Sequence, residues 1–90
     1  MDNEFTIDEL VDIFEEADNN NCEYVGVLIK MEGFPVPELI INENANFDKK
    51  LEYYKKTYDE KCNHKFAKGI KIVDADYSDY LENLELMFQS

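Results

Sequence analysis

The sequence predicts an α+β domain, with elements in the order α-β-β-α-β-α and a three-stranded, mainly antiparallel sheet in strand order 2-1-3 packed by helices. Three observations lead there. A capped amphipathic stripe opens the chain, two segments of period two flank a proline-bracketed turn, and a second helical stripe, a third strand and a last helix complete it. Ninety residues hold one core and no more, so residues 1–90 read as a single domain.

The first helix announces its own start. Thr6 and Glu9 form a T-x-x-E capping box, and Phe5 and Leu10 occupy the two positions of a hydrophobic staple. Loss of the Thr6 cap is worth about 1 kcal/mol. Ile7, Leu10, Val11, Phe14 and Ala17 then recur at helical spacing and define the buried stripe, which leaves Asp8, Asp12, Glu15 and Glu16 outward. The polar run Asp18-Asn19-Asn20-Asn21 stops the helix.

From residue 23 the period changes to two. Val25, Val27, Ile29 and Met31 share one face of a strand, and Tyr24, Gly26, Leu28 and Lys30 share the other. Glu32-Gly33 opens a loop in which Pro35 and Pro37 hold Val36 extended, and Glu38-Leu39-Ile40-Ile41 returns as the second strand of a hairpin, closed by Asn42 to Ala45. Asn46 is placed to cap a second helix with Phe47, Leu51, Tyr54, Tyr58 and Cys62 stacked on one side and Lys49, Lys50, Lys55 and Lys56 outside. Residues 63–68 form a polar connection. A third strand runs from Gly69 through Ile70, Ile72 and Val73, and a last helix carries Tyr77, Tyr80, Leu81, Leu84, Met87 and Phe88. A right-handed crossover makes the second and third strands parallel, with the first between them. Leu10, Phe14, Val27, Ile29, Ile41, Leu51, Tyr54, Ile72, Leu81 and Leu84 are expected to form one core.

Charge narrows the partners. Twenty-one acidic residues face nine lysines and no arginine, for a net charge of −12. Phosphate forks and base reading depend on cationic side chains, arginine above all, so direct binding of nucleic acid is not expected. The charge is segregated: residues 1–23 carry nine carboxylates and no lysine, whereas residues 46–71 carry eight lysines and four carboxylates. No apolar run approaches a membrane span and the first twenty residues are mainly acidic, unlike a signal peptide, so a cytoplasmic protein that does not enter membranes is expected. Cys22 and Cys62 then read as reduced core thiols rather than a disulfide.

Site chemistry is sparse. Asp74-x-Asp76-x-Ser78, followed by Glu82 and Glu85, places oxygens at the spacing of a calcium loop, but Asp79 stands where that loop needs glycine and the preceding segment reads as a strand. An acidic cap on the last helix explains the same residues. Cys22, Cys62 and His64 are three soft ligands where structural zinc takes four, so neither metal nor cofactor is expected. His64 is the single histidine, it lies among lysines and reads as solvated, and no nucleophile elbow or glycine-rich phosphate loop is present; the chain is expected not to be an enzyme. Tyr54 and Tyr58 fall on the core stripe, whereas Tyr53 falls off it and is a candidate contact residue. Asp8, Asp12, Glu15 and Glu16 are either a solvated face or a surface complementary to a basic one.

The stretches ELIINENANFDKKLEYYKKTYDE, residues 38–60, and GIKIVDADYSDYLE, residues 69–82, resemble small phage- and prophage-encoded proteins of Gram-positive bacteria. The resemblance implies a protein that acts stoichiometrically on a host protein, as inhibitors of defence nucleases such as CRISPR effectors do. The expected function is therefore a non-catalytic acidic binding module, a nucleic-acid mimic that occupies the basic surface of a host protein through Asp8, Asp12, Glu15, Glu16 and Tyr53. The alternative is a homo-oligomeric assembly module that pairs the Asp8-to-Glu16 helix with the Lys49-to-Lys56 helix of another copy.

Overall fold

The computed structural model describes residues 4–88, except the side chains of Met87 and Phe88; the expectation that those two complete the last apolar stripe lies outside the described residues. The elements are α1 (Ile7–Asn19), β1 (Tyr24–Met31), β2 (Glu38–Glu43), a 3-10 turn (Asn44–Asn46), α2 (Phe47–Thr57), β3 (Ile70–Ser78) and α3 (Leu81–Phe88). The α-β-β-α-β-α order is the one predicted. β1 is central and antiparallel to both neighbours, giving the sheet order β2-β1-β3.

Both ends of α1 are built from side-chain and backbone chemistry written locally in the sequence. Thr6 Oγ1 accepts from the Glu9 amide at 3.3 Å, as the capping box requires. At the other end Asn21 takes a left-handed φ of 54°, the Asn21 amide donates to Asp18 C=O at 3.0 Å, and the Cys22 amide donates to Ala17 C=O at 2.8 Å. These two bonds are a Schellman closure, which satisfies carbonyls that a bare helix end would leave open. The Ile7 amide also donates to Glu60 C=O at 3.0 Å and ties the start of α1 to the turn after α2.

α1 and α2 lie on the sheet face that carries Val25, Val27 and Ile72. Phe14 is the centre of this layer: its ring meets Phe47 edge-on at 5.5 Å and Tyr54 at 6.1 Å. Leu10, Phe14, Val27, Tyr54 and Ile72 are buried there as predicted, with Ile29 and Leu51 packed at the margin. One polar pair sits inside it. Asn42 is 2% exposed, its Nδ2 donates to Val25 C=O at 3.1 Å, and its Oδ1 accepts from the Tyr54 hydroxyl at 3.3 Å. Asn42 is thus a buried member of β2 rather than part of the closing turn.

The expectation of one core does not hold, because the sheet has a second occupied face. Leu84 of α3 is fully buried over Gly26, where an added Cβ would stand 3.4 Å from both Leu84 methyls and 3.1 Å from Leu39 Cδ1. Gly26 pairs with Ile41 and Leu28 with Leu39, so Ile41 belongs with Leu84 on this face, across the sheet from Phe14. Leu81 does not belong to either cluster: it is 40% exposed at the start of α3. Tyr80 precedes that helix and is exposed as well.

Three element boundaries differ from those read in the sequence. No Asn46 side-chain cap forms, since the 3-10 turn runs directly into α2. α2 ends at Thr57, with Tyr58 already extended (φ −115°, ψ 145°), so Tyr58 and Cys62 reach the core from the turn beyond the helix rather than from its stripe. β3 continues through Asp74, Ala75, Asp76 and Tyr77 to Ser78, with a register shift opposite Leu28/Ile29 at Val73. Tyr77 consequently packs against the core from the strand, and the acidic string is neither a helix cap nor a loop.

Candidate functional site

The four acidic residues of α1 stand where the helical repeat puts them. Successive residues rotate by about 100°, so Asp12 lies about 200° around the axis from Leu10, and the buried stripe of Leu10, Phe14 and Ala17 turns Asp8, Asp12, Glu15 and Glu16 to solvent. All four are exposed, and among the described residues none of them makes an ion pair. The two ion pairs found are elsewhere, Lys56 with Glu52 at 3.8 Å and Lys71 with Glu4 at 3.1 Å.

Tyr53 is half exposed, as expected of a residue off the stripe, but it does not join the acidic ridge. The flank of α2 that meets α1 is marked by Lys55, which lines a groove of about 310 Å³ together with Ile7, Asp8, Val11, Tyr58 and Lys65. Two residues of helix place Tyr53 about 200° from Lys55, on the flank away from α1. There Lys50 Nζ lies 5.6 Å from the Tyr53 ring and 5.9 Å from the Tyr54 ring. The five residues therefore form two surfaces, an acidic ridge on α1 and an aromatic-cationic patch on α2.

The groove between the helices is amphipathic. Ile7, Val11 and Tyr58 supply its apolar part, and Asp8, Asp59, Glu60, Lys55 and Lys65 line it as well. Its acidic and basic groups are neighbours, a juxtaposition that charge counts along the chain did not reveal.

The remaining reactive groups belong to the core. Burial raises the Cys62 thiol to about 12, with the nearby Asp59 adding to the effect, and burial raises the Tyr54 and Tyr58 hydroxyls to about 12. Cys22 is raised by burial and then by Asp79. Each shift favours the neutral form, the reverse of what activates a cysteine nucleophile. Both thiols are free and buried.

The residues of the two metal-like sets are placed as follows. Asp74 and Asp76 are consecutive same-face residues of β3, and their carboxylates accept from the next amide in the strand, Ala75 at 2.8 Å and Tyr77 at 2.7 Å. Among the described residues no three His, Cys, Asp or Glu side chains converge as a metal group would need, Cys22, Cys62 and His64 included. His64 is half buried rather than solvated. Its Nδ1 accepts from the Phe66 and Ala67 amides at 3.1 and 3.0 Å, and its ring stands edge-on to Tyr58 at 5.1 Å. It is the organiser of the 63–68 loop, a role that the H-x-F-A spacing hints at only once the backbone is known.

No described helix is long and apolar enough to cross a membrane. A comparison of the chain with protein-family models, with curated proteins and with solved structures finds no match in any of the three.

Proposed function

We propose that this protein is a non-catalytic binding module that sets the acidic ridge of α1 on a basic, nucleic-acid-binding surface of a larger protein, in the manner of a phage-encoded inhibitor of a bacterial defence nuclease acting in the host cytoplasm. The observation that carries the reading is the ridge itself. Asp8 to Glu16 spans about 12 Å of helix rise, so four carboxylates stand at a linear density close to that of one DNA strand, roughly one phosphate per 3.4 Å. The helix beneath them is capped at both ends and tied to Glu60, so the row is presented without further ordering. Such a surface favours fast, salt-sensitive association with a cationic groove.

The test reverses the row. A variant with Asp8, Asp12, Glu15 and Glu16 all replaced by Lys keeps its buried stripe and is expected to retain the wild-type circular dichroism spectrum. Wild-type protein immobilised in a bacterial lysate retrieves a partner that heparin displaces, and the variant retrieves none. Retrieval by the variant with unchanged affinity and salt slope refutes the proposal.

A second reading, self-association, has one observation in its favour: Lys49, Lys55 and Lys56 are exposed on the helix beside the ridge. The same variant separates the two, since loss of an oligomer on a sizing column in the absence of any partner supports assembly instead.

A further inference from the structure

The two edges of the sheet are treated differently by the fold. The Asn44 amide donates to Glu23 C=O at 2.8 Å, which sets the phase of the β1–β2 ladder. Val25–Asn42, Val27–Ile40 and Ile29–Glu38 are then the hydrogen-bonded pairs, and the backbone groups of Leu39, Ile41 and Glu43 point away from the sheet. By the same alternation, Tyr24, Gly26 and Leu28 bond to β3, so Ala75 and Tyr77 point outward from its free edge.

Outward groups of the β3 edge are occupied at both of its ends. Near its start the loop before it pairs with it: the His64 amide donates to Ile70 C=O and the Ile72 amide to Cys62 C=O, each at 2.9 Å. Further on, the outward amides of Ala75 and Tyr77 are taken by the carboxylates of Asp74 and Asp76. Charged side chains on the strand and a covering loop are both recognised ways of blunting an edge. On β2 nothing equivalent exists: among the described residues, the amides of Leu39, Ile41 and Glu43 have no hydrogen-bond partner.

We propose that β2 is a docking edge that accepts an extended segment of another protein as a fourth strand, apolar at alternate positions and bearing Lys or Arg where it passes Glu38 and Glu43. Backbone hydrogen bonds to Leu39, Ile41 and Glu43 hold such a segment, and half-buried Leu39 and Ile41 receive its apolar side chains on the Leu84 face. Charge selects the occupant. An exposed carboxylate stands at each end of β2, and the chain as a whole carries −12, so a cationic strand is attracted and a second copy brings the same excess of negative charge to the contact. Exposed Phe34 and Val36 in the loop leading into β2 extend the apolar surface available to it. This edge is independent of the α1 ridge and stands or falls separately from it.

The probe is a displayed library of random ten-residue peptides, selected against the wild-type protein and then synthesised singly. Enriched peptides are expected to alternate apolar residues and to carry Lys or Arg near both ends. Bound peptide should slow hydrogen exchange at Leu39, Ile41 and Glu43 and leave Ala75 and Tyr77 unchanged. Glu43→Pro removes one outward amide without touching the ladder to β1, a substitution that edge strands tolerate, and should weaken binding about tenfold, the order expected for a lost hydrogen bond. Methylating alternate backbone nitrogens of the peptide, which leaves the protein unaltered, should abolish binding. The proposal is overturned if no peptide is enriched, if enriched peptides protect other amides, or if they tolerate both Glu43→Pro and N-methylation. It is equally overturned if sedimentation shows a dimer whose β2 amides are protected without peptide, because the occupant is then a second copy.

Discussion

Removing the hydroxyl of Tyr54 should destabilise the protein far more than the loss of one oxygen atom suggests. Tyr54 is 1% exposed and its hydroxyl donates to Oδ1 of Asn42, a buried residue of β2. Tyr54→Phe keeps the ring contacts with Phe14 and Tyr58 but leaves Asn42 Oδ1 with no donor in a dry layer. An orphaned buried acceptor costs about 1–3 kcal/mol, whereas removing both partners together is closer to neutral. Asn42→Val removes the amide, suits a strand, and in turn orphans the Tyr54 hydroxyl and one bond to Val25 C=O. The double variant should therefore be more stable than the sum of the single losses by about 0.5–3 kcal/mol. Urea unfolding of the four proteins measures all three terms. If Tyr54→Phe costs less than about 0.5 kcal/mol, or if the two changes simply add, the pair is hydrated and the account of a dry polar pair is wrong.

Phe14 joins α1 to both Phe47 and Tyr54, so Phe14→Ala should cost about 3–5 kcal/mol and lower the melting temperature sharply by calorimetry. The raised Cys62, Tyr54 and Tyr58 values predict alkaline sensitivity: these groups stay neutral when folded and ionise on unfolding, so the stability they lend is intact below about pH 9 and is lost as pH rises toward 12. Between pH 9 and 10 the Cys62 contribution alone falls by about 1 kcal/mol, and Cys62→Ala should flatten that part of the denaturation profile.

Where the residues were legible, the signal was local. The Thr6–Glu9 box, the asparagine run that ends α1 and the alternation of Val25, Val27 and Ile29 each encode their structure within a few positions. The boundaries that moved involve distant partners. Tyr58 and Cys62 keep helical spacing from Tyr54, yet the backbone leaves the helix because Tyr58 bridges to His64. Val73-Asp74-Ala75-Asp76-Tyr77 does alternate, which is a strand signal, but a cluster of aspartates before a helix also reads as a cap, and only pairing with β1 decides between them. The acidic ridge could be seen on a helical wheel. Its separation from Tyr53, its closeness to Lys55 and the unequal edges of the sheet depend on how elements pack, and no pattern along the chain carries that information.

Leu84 has a consequence for how the molecule breathes. α3 is eight residues long, too short to hold itself together in water, where isolated helices need roughly 12–15 residues. Among its described side chains Leu84 alone is buried, resting in the hollow that Gly26 leaves. Counting those described side chains, the helix is a latch with one tooth. Lifting it leaves the Phe14 layer on the far side of the sheet intact, so α3 should open at a fraction of the free energy of global unfolding and its amides should exchange as one early cooperative unit, ahead of β1. Each opening briefly bares the hollow at Gly26 that Leu84 fills, giving a domain of this size a second surface that exists only part of the time.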